Sequence, residues 1–470
     1  MGKSVSRTVI ALCALIGLGA LAGVAASRLD VQITLSALIV LTALCLYNVR
    51  RVLIFAVVLV PLISLVRRLV SGGRVDSDPL VLAPLILVIA VLLVRAFHDR
   101  EKQTRANWVN RLVIAFAVAV ALTLAIRTVT AIAPLYAAGA IVVPLLLIPL
   151  VMDGRVPDVW LTADRVIPIL GILVGLYGVY QFFFLPEWDK SWMIASDLNS
   201  IGAPNPLEVR VFGASESPGP YALFVGLASV VALAKATITS KLVARVLWFA
   251  CAASLTVPLI LSGVRTALIA VAICAVVLAL IRGKGFGRFV PVILVVLVGL
   301  VLVRILNALD GSSTILSADR YTEFDSNTDD SFQARLGILQ YFFSPVKYLI
   351  GNPSGARADS LIGDTIMQYG YIAGILITAL CLVMLFIALK NLGGRRAETA
   401  SLSTVFIVVA SVSGNVFLAT FGIIIGLAFA ATAKAYFSAR QARDKQPMGE
   451  DQAEQKHSSR SGKYRKLSVN

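Results

Sequence analysis

Residues 245–282 read RVLWFACAASLTVPLILSGVRTALIAVAICAVVLALIR. Two apolar runs, about 245–262 and 266–281, are separated only by a short turn at Ser262-Gly263-Val264-Arg265. Each run is close to the ~20 apolar residues that carry a helix across a hydrocarbon core. Lys241 and Arg245 precede the pair, and Arg282, Lys284 and Arg288 follow it. Basic ends with an apolar interior are the pattern of a transmembrane hairpin, and the pattern recurs along the chain.

The 470-residue chain is 58% hydrophobic and only 14% charged, with a mean hydropathy of +0.86. Soluble domains carry about 25% charged residues. No globular core hides this much apolar surface, so lipid is the solvent for most of it. Further runs near the membrane-spanning length lie at about 8–26, 31–48, 52–66, 79–97, 112–128, 131–152, 166–185, 218–236, 288–305, 365–389, 401–416 and 418–437. Together they predict an all-α integral membrane protein, a polytopic helical bundle of about 12–14 transmembrane helices. The run at 52–66 is short and contains Pro61, and the last two read as a pair broken around Gly414.

Orientation follows from lysine and arginine in the short loops. With the N-terminus inside, the inner loops hold Arg50 and Arg51; Arg95, Arg100, Lys102, Arg105 and Arg111; Lys235, Lys241 and Arg245; Arg282, Lys284 and Arg288; and Lys390, Arg395 and Arg396. Both termini are then cytoplasmic, as expected of an inner-membrane protein. Arg67, Arg68 and Arg74 are the exception, in an outer loop. The segment 438–470 is polar and basic, expected to be disordered and to touch anionic lipid through Lys463, Arg465 and Lys466.

The net charge of +16 invites a nucleic-acid partner, but its distribution is that of orientation signals, so none is expected. The cysteines Cys13, Cys45, Cys251, Cys274 and Cys381 lie inside apolar runs without metal-ligand spacing, and no disulfide framework is indicated. His98 and His457 fall in segments assigned to the cytoplasm, which leaves an outward site without histidine. Lys3 and Arg7 precede the run at 8–26, which is long for a signal peptide and reads as a retained anchor.

Two long loops face outward, about 186–218 and 306–364. The first carries Trp188 and Trp192, read as interfacial anchors, then Arg210-Val211-Phe212-Gly213 and Ser215-Glu216-Ser217-Pro218-Gly219-Pro220. In the second, Asp310, Asp319, Glu323, Asp325, Asp329 and Asp330 stand against Arg320, Arg335, Lys347 and Arg357. Phe332, Leu336, Leu339 and Phe343 recur at helical spacing, predicting an amphipathic helix that Pro345 ends. Arg265, so near the hydrocarbon, either snorkels or meets an anion, and a guanidinium suits a diphosphate. Asp359-Ser360 opens the next span with Asp364 one turn on. A carboxylate there is a candidate general base, while Asp364 equally suits the helix dipole. Gly370 and Gly374 are spaced for close helix packing.

Taken in order, these motifs resemble the O-antigen ligase and O-antigen polymerase superfamily, bacterial membrane glycosyltransferases that use undecaprenyl-diphosphate-linked sugars. Arg210-x-x-Gly213 is similar to that family's first outer-loop motif, and Ser262-Gly263-Val264-Arg265-Thr266-Ala267 to its Ser-x-Arg-small motif with one residue inserted. Arg335 with Gly351-Asn352-Pro353-Ser354-Gly355 resembles the loop arginine and glycine-rich segment. Asp359-Ser360 followed by Gly370 and Gly374 resembles the ligases' His-Asn/Ser motif, with aspartate where the ligases have histidine.

The resemblance implies a GT-C-like bundle with a large extracytoplasmic loop and a core at 165–390, including the two outer loops. Residues 1–164 and 391–437 would be flanking transmembrane helices and 438–470 a cytoplasmic tail. It implies metal-independent transfer without a cofactor, with Arg210, Arg265 and Arg335 on the donor diphosphate and Asp359 activating the acceptor hydroxyl. The partners implied are an undecaprenyl-diphosphate-linked glycan donor, a glycan acceptor, membrane lipid and polysaccharide assembly proteins. The aspartate favours a polymerase of exported polysaccharide over a ligase. A transporter or flippase of anionic cargo is the rival reading, predicting ionisable residues at bilayer depth and inverted repeats. A non-catalytic scaffold of an envelope assembly machine is a third.

Overall fold

The computed structural model describes residues 48–73, 79–98, 107–129, 131–196, 201–282, 348–352, 358, 360–393, 398–417 and 421–444. The first half contains α1 (Val49–Ser71), α2 (Ala83–His98), α3 (Trp108–Ile126), α4 (Ile132–Leu145), α5 (Leu147–Met152), α6 (Trp160–Phe184) and the short α7 (Glu187–Ser196). The second contains α8 (Pro218–Ile238), α9 (Leu242–Leu261), α10 (Arg265–Arg282), α11 (Leu361–Tyr369), α12 (Tyr371–Asn391), α13 (Glu398–Ser413) and α14 (Gly422–Asp444). Among the described residues the one β-type pairing is an isolated bridge between Gly202 and Val209.

Eight described segments are long and apolar enough to cross a membrane: Val49–Ser71, Trp108–Ile126, Ala133–Met152, Trp160–Phe184, Pro218–Ile238, Leu242–Leu261, Tyr371–Asn391 and Gly422–Ala442. Leu80–Arg95, Arg265–Ile281 and Glu398–Val412 are shorter apolar helices. The protein is an all-α, multi-pass membrane protein. The expected spans at 8–26, 31–48 and 288–305 and the amphipathic helix around Phe332–Phe343 lie outside the described residues.

Helix α6 shows how such a chain packs when both faces of a helix are apolar. Ile169, Leu173, Leu176, Tyr180 and Phe183 form an exposed stripe, the side that meets acyl chains. Along its middle the inward side is marked by glycine, between buried Asp164 and Gln181. A Cβ on Gly171 would lie 2.4 Å from that of Ala228, and one on Gly178 would lie 2.0 Å from the Tyr221 hydroxyl. Such close backbone approach replaces the hydrophobic drive that lipid cannot supply. It seats α8 at the centre of the bundle, packed on α6, α9, α10 and α13 and buried along nearly its whole length.

The two ends of the bundle differ. At the lower end, Lys235 lies 3.0 Å from Asp164. Thr399 donates to Asp164, Trp160 Nε1 donates to Thr399, and Thr237 donates to Glu398. These contacts tie α6, α8 and α13 together. The upper end gathers the 185–217 loop, the α9–α10 turn and the start of α11.

Three elements depart from expectation. Helix α1 continues past residue 66, capped by Asn48 at its start and by left-handed Gly72 at its end. Arg67 and Arg68 therefore belong to its last turns, and both are buried instead of lying in an outer loop. The run at 131–152 breaks at Leu146, just after Pro144. The run at 365–389 is two helices, broken at Gly370 with φ 92°. A Cβ there would meet the Leu349 carbonyl oxygen at 2.6 Å, so the glycine lets Tyr348–Asn352 lie against the break. Gly374 does serve close packing, against Ile366 of α11.

Two outcomes test this arrangement. Single cysteines at exposed Asn205 and Lys241 are expected to react with a membrane-impermeant maleimide from opposite sides of sealed vesicles. Gly374→Leu is expected to lower stability in micelles by about 1–3 kcal/mol through overpacking, read by thermal unfolding.

Candidate functional site

Helix α6 ends at Leu185, whose φ of 37° turns the chain, and Pro186 leads into α7. This folds Asp189 back over α6 into a site with no solvent access, where its carboxylate lies 3.2 Å from Nε of equally buried Arg68. Tyr177 donates to the same carboxylate at 2.8 Å and Gln181 Nε2 at 2.6 Å. Trp188 Nε1 donates to the Tyr177 hydroxyl. Burial pushes the Asp189 carboxyl above its ordinary range, while Arg68, Gln181 and Tyr177 pull it back towards the ionised form.

The other end of the Gln181 amide holds the motif loop. Its Oε1 accepts from the backbone N–H groups of Phe212 at 3.0 Å and Gly213 at 2.8 Å. Arg68 donates to the Gly213 carbonyl, and its guanidinium stands 4.7 Å over the Phe212 ring. Gly213 sits at φ 48° with no room for a side chain, since a Cβ would fall 2.2 Å from the Tyr221 ring. One buried knot thus fixes both sides of Phe212-Gly213.

Arg210 extends from this loop to the α9–α10 turn. Its backbone N–H donates to Ile201, and that of Val211 donates to Leu261 at the end of α9. The Arg210 side chain donates through Nε to the Ser262 carbonyl at 3.3 Å and through Nη2 to the Gly263 carbonyl at 3.2 Å. Gly263, at φ 64°, carries the turn, and a Cβ there would press on Arg210 Nε at 3.1 Å. Arg210 therefore occupies the electronegative C-terminal end of α9. Two residues past Gly263, half-buried Arg265 opens α10. A guanidinium beside a helix N-terminus makes a local field suited to an anion.

Of the residues singled out from the sequence, Arg210 and Arg265 are brought to one turn. Arg335 and Asp359 lie outside the described residues. Asp364 is buried and anchored in place: it accepts from Gln368 at 2.8 Å and from Asn415 at 2.7 Å, and Ser360 caps the same helix. It links α11 to the end of α13. Arg127 donates to the Ile350 and Gly351 carbonyls, holding that segment at the same end.

The tryptophans are not simple interfacial anchors. Trp192 is buried, donates to the Glu216 carbonyl and has Arg67 5.6 Å over its ring. Arg67 also lies 3.6 Å from Glu216. Sequence reasoning assigned no role to Arg67, Arg68, Gln181, Asp189 or Glu216. The available signal was two arginines on the side where the other loops carry few.

No known protein family model matches the chain, and no curated protein is similar to it at a significant level.

Arg68→Leu leaves Asp189 buried without its counter-charge, and a loss of about 3–5 kcal/mol is expected. Arg68→Leu combined with Asp189→Leu is expected to lose less than Arg68→Leu alone. Equilibrium unfolding of both single variants and the double in mixed micelles measures the coupling.

Proposed function

We propose that the protein is a membrane glycosyltransferase acting on undecaprenyl-diphosphate-linked oligosaccharide at the outer face of the bacterial cytoplasmic membrane. It polymerises repeat units of a cell-surface or exported polysaccharide, the chemistry of the O-antigen polymerase and ligase superfamily. The observation that carries this reading is the clasp of Arg210 on the Ser262–Gly263 turn. It joins, at one end of the bundle, two arginine motifs that are far apart in the sequence. Short lysine- and arginine-bearing loops at the opposite end support the outward orientation of that site.

In this mechanism Arg265, with Arg210 behind it, faces the donor diphosphate. As the anomeric carbon–oxygen bond breaks, charge grows on the departing phosphate. A fixed guanidinium and the α10 N-terminus stabilise that charge without reorganising. An acceptor hydroxyl supplies the new bond and loses its proton to a carboxylate at the same end. The resemblance implies Arg335 as a further diphosphate contact and Asp359 as one candidate for that carboxylate.

The test uses purified protein and undecaprenyl-diphosphate-linked repeat units extracted from the host. Wild type is expected to build a ladder of lengthening glycan. Arg265→Ala is expected to slow it by about 10²–10³-fold, the loss typical of one donor to a developing oxyanion, and Arg210→Ala is expected to slow it as well. A single transfer onto a lipid acceptor would make the protein a ligase. An intact, competent donor left untouched by wild type would sink the transferase reading.

A further inference from the structure

Between α1, the start of α8 and the start of α14 the upper end contains a cleft. Pro61 and Ser64 come from one side, Ser215, Glu216 and Phe224 from another, and Phe421 closes it. Its inner space suits about one water-sized group. A sugar ring stays outside this space, at the side where Glu216 is about a third exposed. Its lining is mixed: Val60, Pro61, Pro220, Phe224 and Phe421 are apolar, and Ser64, Ser215 and Glu216 are polar.

The carboxylate is braced on both its backbone and its side chain. Trp192 Nε1 donates to the Glu216 carbonyl at 3.1 Å. The Trp192 ring carries Arg67, and Arg67 Nη1 lies 3.6 Å from Glu216 Oε2. Arg67 is thereby held between an aromatic face and the acid, which fixes the carboxylate in place. The neighbouring backbone is equally constrained. Ser215 N–H donates to the Phe212 carbonyl, and Pro218 opens α8 two residues on. Glu216 keeps about a third of its side chain exposed, a route by which a proton leaves. It follows Arg210 by six residues on one loop. Their α-carbons are therefore at most about 20 Å apart, and the turn at Gly213 brings them closer.

We infer that the acceptor hydroxyl meets Glu216 at the open side of this cleft and that Glu216 is the base that takes its proton. The inference rests on the transferase reading above and assigns the acceptor side of that site. The acceptor oxygen bonds to the anomeric carbon of the donor as the bond from that carbon to the diphosphate oxygen breaks. The electron pair of the broken bond leaves on the diphosphate. The hydroxyl proton passes to the Glu216 carboxylate, which later gives it to water. Ser64 and Ser215 orient the hydroxyl by hydrogen bonds. Glu216 thereby takes the role that the family resemblance implies for Asp359.

The test compares Glu216→Gln, Glu216→Asp, Glu216→Ala and Asp359→Asn in the glycan-lengthening assay, with retention of radiolabelled donor measured in parallel. Glu216→Gln is expected to cut turnover by about 10²–10⁴-fold, the range for loss of a general base, while donor retention stays at the wild-type level. Glu216→Asp should keep part of the rate. Added formate should restore part of the rate to Glu216→Ala, which loss of a purely structural ion pair would not allow. Glu216→Gln within threefold of wild type, with Asp359→Asn inactive, overturns the assignment and returns the role to Asp359. A Glu216→Ala variant that formate does not rescue, together with a Glu216→Gln variant that no longer retains donor, makes Glu216 a structural brace and also overturns it. Failure of wild type itself on competent donor removes the transferase reading, and this inference falls with it.

Discussion

Arg68 and Asp189 meet where neither touches solvent, 3.2 Å apart. Isolated charges in such a place cost several kcal/mol each, and their mutual attraction offsets this only when further hydrogen bonds complete the site. Those bonds come from Tyr177, Gln181 and the Gly213 carbonyl. The pair is therefore stable only if α1, α6, α7 and the Phe212-Gly213 loop all arrive together. Everything else at the upper end hangs from that requirement. With Gly213 fixed, Val211 pairs with the end of α9, Arg210 reaches the following turn, and Arg265 starts its helix beside it.

Gln181 deserves its central place because an amide has both a donor and an acceptor end. It passes order from a charged pair to a neutral backbone without adding charge of its own. The lower end solves a similar problem differently. There Asp164, Lys235 and Thr399 satisfy one another across neighbouring helices, and Trp248 lies under the lysine. That network closes on itself. The upper one ends in guanidinium groups directed at the carbonyls of Gly213, Ser262 and Gly263, close to the start of α10.

The helices were legible in the sequence because lipid imposes their length, and runs such as 218–236 and 245–262 match the observed helices within a few residues. The joining of Arg210 to the Ser262–Arg265 turn was legible only as two motifs, since nothing local states that they touch. The pairing of Arg68 with Asp189 was hidden because charge rules for loops treat every arginine near a span as exposed. Asp189 itself looks like an ordinary helix-start acid in the loop. Gly370 read as a packing glycine because spacing alone cannot distinguish close approach from a broken helix. The positive φ and the segment Tyr348–Asn352 decide that question. The inward face of α6 was spelled out by Gly171, Gly175 and Gly178, though apolar periodicity had nothing to say there.

The buried ion pair also sets a clock for biogenesis. Arg68 leaves the ribosome well before Asp189, and at about 5–20 residues per second the wait is on the order of ten seconds. During that interval the last turns of α1 carry two arginines without Asp189 and Glu216, the acids they meet in the folded bundle. Their long side chains can reach the interfacial water only if that end of the helix stays shallow. The burial of Arg68 with its counter-charge therefore waits for α7.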